Sequence, residues 1–220
     1  MKYGLVIFDL DGTLLDSFPW FSSVINSVAD RHRFKRVENH QVELLRRSGA
    51  RQIIKLLGIA AWRIPAIARD MRRLKSDHLH GIALFPGVDR LLRALIAQGT
   101  VLAIVSSDSE DNARRALGPD NSALIAHYAC GSSLFGKSRK FKQVLRRTRV
   151  SPGRTICIGD EIRDIDAARK VGLAFGAVSW GYTSAAALQA HVPEQMFFSI
   201  DEMIAKLTGT TDDTRDEAAE

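Results

Sequence analysis

Cysteine is scarce in this chain: Cys130 and Cys157 are its two. They lie too far apart for a CxxC motif and are too few for a disulfide framework. A reducing, cytoplasmic compartment is therefore expected, with both thiols serving as small apolar fillers. Long uninterrupted hydrophobic runs are also missing. The opening MKYGLVIFDLDG carries one lysine, and its apolar run is broken by Asp9 and Asp11, a pattern of neither a signal peptide nor a membrane span. Zinc-finger spacing, basic stripes interleaved with aromatics, RNA-binding motifs and internal repeats are all lacking. The expectation is thus no membrane and no nucleic-acid partner.

What is present suffices for a folded interior. The 220 residues are 45% hydrophobic, enough for one large domain or a core with a smaller insert. Net charge is +6, although residues 208–220 carry five acids against Arg215, so the remainder is more positive still. That balance suits an anionic substrate. The acidic tail, 208–220, reads as disordered and without a catalytic part. The basic residues between Arg31 and Arg73 read mostly as solvated faces of amphipathic helices.

Tyr3 to Asp9 is a short, nearly continuous apolar run, as expected of a strand buried on both faces of a parallel sheet. Similar runs recur at Thr100 to Ser106, Arg154 to Gly159 and Leu173 to Ser179. Between them lie helical-period stretches such as Val88 to Ala97 and Ile162 to Val171. The alternation predicts an α/β fold with a doubly wound, Rossmann-like parallel sheet. From Phe18 to Phe85 the period is helical throughout, with breaks at Gly49, Gly58 and Pro65. An excursion of about 65 residues is too long for an ordinary crossover, so an all-helical cap is expected over 18–83, with the core in 1–17 and 84–207.

Two acidic clusters follow predicted strands, where parallel α/β sheets place their ligands. Asp9 and Asp11 precede Gly12 and Thr13. Two close carboxylates repel unless a cation or shared proton offsets them, so the pair suggests a metal site, an acid/base pair, or both. Gly12 permits a tight turn whose N–H groups can cradle an anion. The second cluster is GDEIRDID, in which Asp160 ends a strand and Asp164 falls one helical turn on. A bare helix N-cap is the competing role for Asp160. Hard oxygen ligands of this kind favour Mg²⁺ over zinc. The six histidines show no ligand spacing with a third partner and are left unassigned.

DLDGTLLDS together with GDEIRDIDAA resembles the haloacid dehalogenase-like hydrolase superfamily, in its phosphatase branch. Asp9, Asp11, Gly12 and Thr13 match the DxDGT motif, and Gly159, Asp160 and Asp164 match GDxxxD. The resemblance implies two further residues. Ser106, closing the second strand, would bind a phosphate oxygen, with Ser107 beside it. Lys137 would supply a counter-charge, with Lys140 as the competing assignment. It also implies that Asp9 is the nucleophile that becomes an aspartyl-phosphate and that Asp11 is the general acid and base. Mg²⁺ would be held by Asp9, the Asp11 carbonyl and Asp160, and Asp164, or more weakly Glu161, would complete that site.

Members that cleave carbon–halogen bonds generally lack an aspartate at the Asp11 position, which disfavours that chemistry. The helical insert resembles the small cap of the phosphoglycolate phosphatase-like and β-phosphoglucomutase-like group, and SWGYTS (179–184) resembles a loop of that group. Gly49, Arg47 and Arg51 are the cap residues assigned to the distal part of a substrate, and Gly12 and Thr13 to its phosphate. The implied activity is hydrolysis of a small phosphorylated metabolite. The alternatives are phosphoglucomutase-like transfer, which returns the phosphoryl group to the sugar, and a non-catalytic binding module.

Overall fold

The computed structural model describes residues 2–131 and 136–209. Six parallel strands form one sheet in the order β3-β2-β1-β4-β5-β6: β1 Leu5–Phe8, β2 Val101–Ile104, β3 His127–Tyr128, β4 Thr155–Gly159, β5 Ala174–Val178 and β6 Gln195–Phe197. The expected doubly wound architecture is present. β3 and β6 lie at the two edges and were not expected. At two and three residues, they are too short to display a strand period.

The central strands bury both faces, and their alternation sorts side chains between two apolar layers. Val6, Phe8, Leu102, Ile104, Ile156 and Ile158 fall in one layer, whereas Leu5, Ile7, Ala103, Cys157, Phe175 and Ala177 fall in the other. The first layer is covered by α5 (Val88–Ala97), α6 (Glu110–Leu124) and α10 (Ile200–Thr208). The second is covered by α7 (Lys137–Thr148), α8 (Ile162–Arg169) and α9 (Ala185–Ala190). On α5, Val88, Leu91, Leu92 and Leu95 recur at helical spacing and are all buried, each contributing about 1.5–3 kcal/mol. α6 is broken at Gly118 (φ 73°), just before Pro119. α10 runs one residue into the stretch assigned to the acidic tail; residues 210–220 lie outside the described residues. No helix of the described residues is long and apolar enough to cross a membrane.

Between β1 and β2 the chain makes a helical insert: α1 (Phe18–His32), α2 (Val42–Arg46), α3 (Ala50–Leu56) and α4 (Ile64–His78). Gly49 is the N-cap residue of α3, Gly58 follows α3 at φ 67°, and Pro65 sits in the first turn of α4, so all three sequence breaks mark helix ends. The insert has its own apolar cluster, with Val28, Ala29, Phe34 and Leu57 buried and Ile53, Ile67, Met71 and Leu74 packed on them. It joins the core through two adjacent segments. Leu15 bridges antiparallel to Leu84, the Asp16 N–H donates to the Ala83 carbonyl (2.9 Å), and the Phe85 N–H donates to the Leu14 carbonyl (2.9 Å).

Candidate active site

The registers of the sheet align the chemistry. Phe8 lies opposite Ile104 on one side and Ile158 on the other, so Asp9, Ser106 and Asp160 all emerge just past the carboxyl ends of adjacent strands. The Asp9 N–H continues the ladder to the Ile158 carbonyl (2.9 Å). Strand order reverses around β1, and this is where open α/β sheets form their crevice.

Asp9, Asp160 and Asp164 are all buried, and each offers a carboxylate oxygen within 4.8 Å of the others. Lys137, the first residue of α7, places its buried ammonium 2.6 Å from Asp9 Oδ2 and 2.6 Å from Asp164 Oδ1. These are ion pairs by distance without hydrogen-bond alignment, since neither oxygen of Asp164 has a hydrogen-bond partner. Lys137, and not the half-buried Lys140, therefore reaches the carboxylates. Burial opposes its charge, but Asp164 and Asp9 outweigh burial and hold its pKa above the usual lysine range. Burial chiefly, countered by Lys137 and reinforced by Asp9, pushes Asp164 up to about 7. Asp160 is pushed well above the usual carboxylate range by burial and by the negative charges of Glu161, Asp9 and Asp164. Three buried carboxylates with one ammonium between two of them, and an Asp164 Oδ2 with neither a hydrogen-bond nor an ion-pair partner, are a donor set that fits a hard divalent cation.

Asp160 is gripped from two sides. Its Oδ1 accepts from Thr13 Oγ1 (2.9 Å) and its Oδ2 from the Tyr182 N–H (2.8 Å). Its own carbonyl accepts from the Thr183 N–H (3.3 Å). Gly12, at φ 72°, and Gly181 both press against it, and a Cβ at either would run into the Asp160 side chain. Residue Glu161, not Asp160, is the N-cap residue of α8, so the bare capping role is excluded. Glu161 itself is engaged by Arg163, whose Nε lies 2.9 Å from Oε2.

Of Gly12 and Thr13, the two residues assigned to the phosphate of a substrate, Thr13 is fully buried and its hydroxyl donates to Asp160, bracing that carboxylate. The N–H groups of Gly12 and Thr13 are likewise engaged, by the Leu15 carbonyl (2.8 Å) and the Leu10 carbonyl (3.3 Å), so this part of the turn is not a vacant anion cradle.

Asp11 is not one of the three clustered carboxylates and is paired with the insert. About a quarter of its side chain is exposed, and Oδ1 lies 2.5 Å from Nζ of Lys75 on α4. Burial raises its pKa; Lys75 opposes this and the nearby Asp108 adds to it. Lys75 is buried and also lies 2.7 Å from Asp108 Oδ2. Burial works against its charge, but the two carboxylates prevail and raise its pKa. Ser106 is buried, and its Oγ accepts from the Asp108 N–H (3.1 Å); the Ser107 carbonyl accepts from Arg72 Nη1 (3.2 Å).

Arg47 and Arg51 are exposed on the insert. Their neighbour Arg46 does reach the core, donating to the carbonyls of Tyr182 (3.2 Å) and Gly181 (3.1 Å). The Arg46 carbonyl accepts from the Ser184 N–H (2.8 Å), and Tyr182 Oη meets Ser17 Oγ at 3.1 Å. The insert thus touches the loop that holds Asp160. Lys75, Asp108 and Arg46 were not legible as site residues; the run SWGYTS was the one signal for the loop.

Comparison with known proteins agrees with this geometry. The sequence model described as haloacid dehalogenase-like hydrolase matches residues 6–178. A phosphoglycolate phosphatase of Synechococcus elongatus is 30% identical over 204 residues, covering 92% of this chain and 96% of that protein. An N-acetylmuramic acid 6-phosphate phosphatase of Pseudomonas aeruginosa is 25% identical, covering 83% and 84%. Among solved structures, a haloacid dehalogenase-like family protein of Streptococcus pneumoniae superposes with a TM-score of 0.76 at 20% identity, covering 94% of this chain and 99% of that one.

Proposed function

The chain belongs to the haloacid dehalogenase-like hydrolase family, in its phosphatase branch, and from that premise we propose that it hydrolyses a small phosphorylated metabolite with Mg²⁺, through an aspartyl-phosphate on Asp9. The observation that carries the reading is the buried set of Asp9, Asp160 and Asp164 around Lys137, with Asp11 beside it at the crevice of the sheet. The two relatives above, both named as phosphatases of small phosphorylated acids, support the substrate class.

In this mechanism an Asp9 carboxylate oxygen attacks phosphorus, and the bond from phosphorus to the ester oxygen breaks. Asp11 gives its proton to the departing alkoxide. Asp11, now a carboxylate, then takes a proton from water as that water attacks the phosphorus of the aspartyl-phosphate. Inorganic phosphate leaves and Asp9 is regenerated. Lys137 offsets the charge of Asp9, easing the approach of an anionic ester, and Ser106 binds a phosphate oxygen. Mg²⁺ held by Asp9, the Asp11 carbonyl, Asp160 and Asp164 would supply further charge neutralisation at the phosphoryl oxygens. Residues 18–83 act as the cap that covers the crevice and excludes water.

The test is phosphate release from a panel of phosphorylated metabolites, with Mg²⁺ and with EDTA, using Asp9→Asn as the blank. Metal-dependent release from one compound far above the rest supports the hydrolase and identifies its substrate. Redistribution of labelled phosphate between positions of a sugar, without release, would instead mark a mutase.

A further inference from the structure

The loop at 181–184 has Arg46 on one side and Asp160 on the other, and its peptide groups serve both. The Gly181 carbonyl and the Tyr182 N–H belong to a single peptide group. That carbonyl accepts from Arg46 Nη2 (3.1 Å), and that N–H donates to Asp160 Oδ2 (2.8 Å). The next peptide group repeats the arrangement: the Tyr182 carbonyl accepts from Arg46 Nε (3.2 Å), and the Thr183 N–H donates to the Asp160 carbonyl (3.3 Å). A trans peptide group is planar and points its C=O and N–H in opposite directions. Two rigid plates therefore join one guanidinium of the insert to one acidic residue of the core.

Arg46 is itself fixed in place. Its own carbonyl accepts from the Ser184 N–H (2.8 Å), which ties the far end of the loop to the same residue. Its guanidinium carbon lies 5.1 Å from the centre of the Phe18 ring, and the Tyr182 ring meets that same ring edge-on at 5.2 Å. The planar fork of Nε and Nη2 spans two neighbouring carbonyls, which the point charge of a lysine does not. A charged donor on a carbonyl also polarises the peptide group and strengthens the N–H at its other end. Asp160 thus receives an aimed, reinforced hydrogen bond on Oδ2, while Thr13 holds Oδ1 (2.9 Å). Groups that orient a metal-binding carboxylate contribute to affinity without touching the ion.

We propose that Arg46 is a positioning residue of the metal site: it is no ligand, but through the two peptide groups of Gly181–Tyr182–Thr183 it aims Asp160, so that a helix of the insert sets the affinity of the core for Mg²⁺. The relay stands on the geometry; its effect on Mg²⁺ rests on the metal part of the phosphatase reading. Coupling of this kind is reciprocal. Whatever the Arg46 contact adds to Mg²⁺ binding, bound Mg²⁺ adds to the contact, and the metal steadies α2 without touching it.

The test titrates Mg²⁺ calorimetrically into the full chain as wild type, Arg46→Met and Arg46→Lys, and follows amide hydrogen exchange of each with Mg²⁺ and with EDTA. Arg46→Met should bind Mg²⁺ about tenfold more weakly. Arg46→Lys keeps a cation for Phe18 and for Glu43, so it remains informative if Arg46→Met fails to fold. Its ammonium lacks the fork for two carbonyls, and it should lose about threefold. In EDTA, peptides spanning 179–184 should exchange about threefold faster or more in Arg46→Met, with peptides of β1 and β2 unchanged. In the wild type, Mg²⁺ should slow exchange over 42–46, and that slowing should vanish in Arg46→Met. An arginine that only fastened the insert to the core would change exchange in EDTA and leave Mg²⁺ affinity untouched. Equal Mg²⁺ affinity in all three proteins, or exchange over 42–46 indifferent to Mg²⁺ in the wild type, would overturn the relay. Should the wild type bind no Mg²⁺, the metal reading fails and takes the affinity claim with it, whereas exchange over 179–184 in EDTA still decides whether Arg46 aims the loop.

Discussion

Gly181 backs directly onto Asp160: a Cβ on the glycine would overlap the Asp160 side chain, and the next residue, Tyr182, donates its N–H to Asp160 Oδ2 at 2.8 Å. The loop is therefore part of what aims this carboxylate. Gly181→Ala has to push either the loop or Asp160 aside, although the strand beneath is untouched. The expected outcome is a loss of about 10–100-fold in Mg²⁺ affinity, the usual effect of disturbing the support of a metal ligand, with a cooperative melt retained. Calorimetric titration of Mg²⁺ into both proteins checks it, and equal affinities would remove the loop from the metal site.

The pKa of Asp164, raised to about 7, and of Asp160, also raised well above the usual carboxylate range, set a pH dependence for the metal. Both carboxylates lie above their unfolded values. Between the unfolded carboxylate range and about pH 7 the native state holds more protons than the unfolded one, and in the absence of metal these groups lower stability as pH rises through that window. A cation offsets the same charges and must displace those protons to bind. The stabilisation by Mg²⁺ over EDTA should accordingly be larger at pH 8 than at pH 6. Thermal melts at the two pH values, with and without EDTA, measure it; a gap that shrinks with rising pH would contradict the raised values.

The parts of the site legible in the sequence are those fixed by a strand end. Asp9, Asp160 and Asp164 follow apolar runs long enough to place them, and the parallel register then brings them together. Phase around a short helix is a different matter. Arg46 and Arg47 are adjacent in sequence, yet one donates to the carbonyls of 181 and 182 while the other is exposed, and a five-residue helix offers too little periodicity to choose between them. Lys75 and Asp108 were illegible for another reason. Their meaning lies in contacts across 64 and 33 residues, and neither local propensity nor spacing reports such contacts. Thr13 shows the converse: its place in a motif was legible, but its hydroxyl turns to Asp160.

Lys137 and Lys140 differ by one helical turn and should differ sharply on substitution. Lys137→Met leaves Asp9 and Asp164 facing each other without their shared ammonium, and removing one partner of a buried ion pair typically costs about 3–5 kcal/mol. Mg²⁺ should recover part of that loss by supplying positive charge to the same carboxylates. Lys140→Met, at a half-buried position, should stay within about 0.5 kcal/mol. Urea unfolding of both variants with and without Mg²⁺ is the measurement. A Lys137→Met protein as stable as wild type in EDTA would mean that the ammonium is not what balances the site.

Asp11 faces Lys75, while Asp9 faces Lys137, and this division separates the two steps of the proposed reaction. An Asp11→Asn enzyme keeps the nucleophile and the carboxylate cluster, so it can still be phosphorylated by an ester whose alcohol leaves without a proton. It has no base for the water that must follow. With p-nitrophenyl phosphate it should release about one nitrophenolate per enzyme in a burst and then slow by about 10²–10⁴-fold, the range for losing a general acid–base. With an alkyl phosphate there should be no burst, because the first step now lacks its acid as well. Quenched-flow measurement of both esters, with acid-stable or labile ³²P on the protein as the second readout, distinguishes these cases. A steady rate with no burst on the nitrophenyl ester, equal in loss to the alkyl ester, would place Asp11 outside the proton transfers and require a different acid in the crevice.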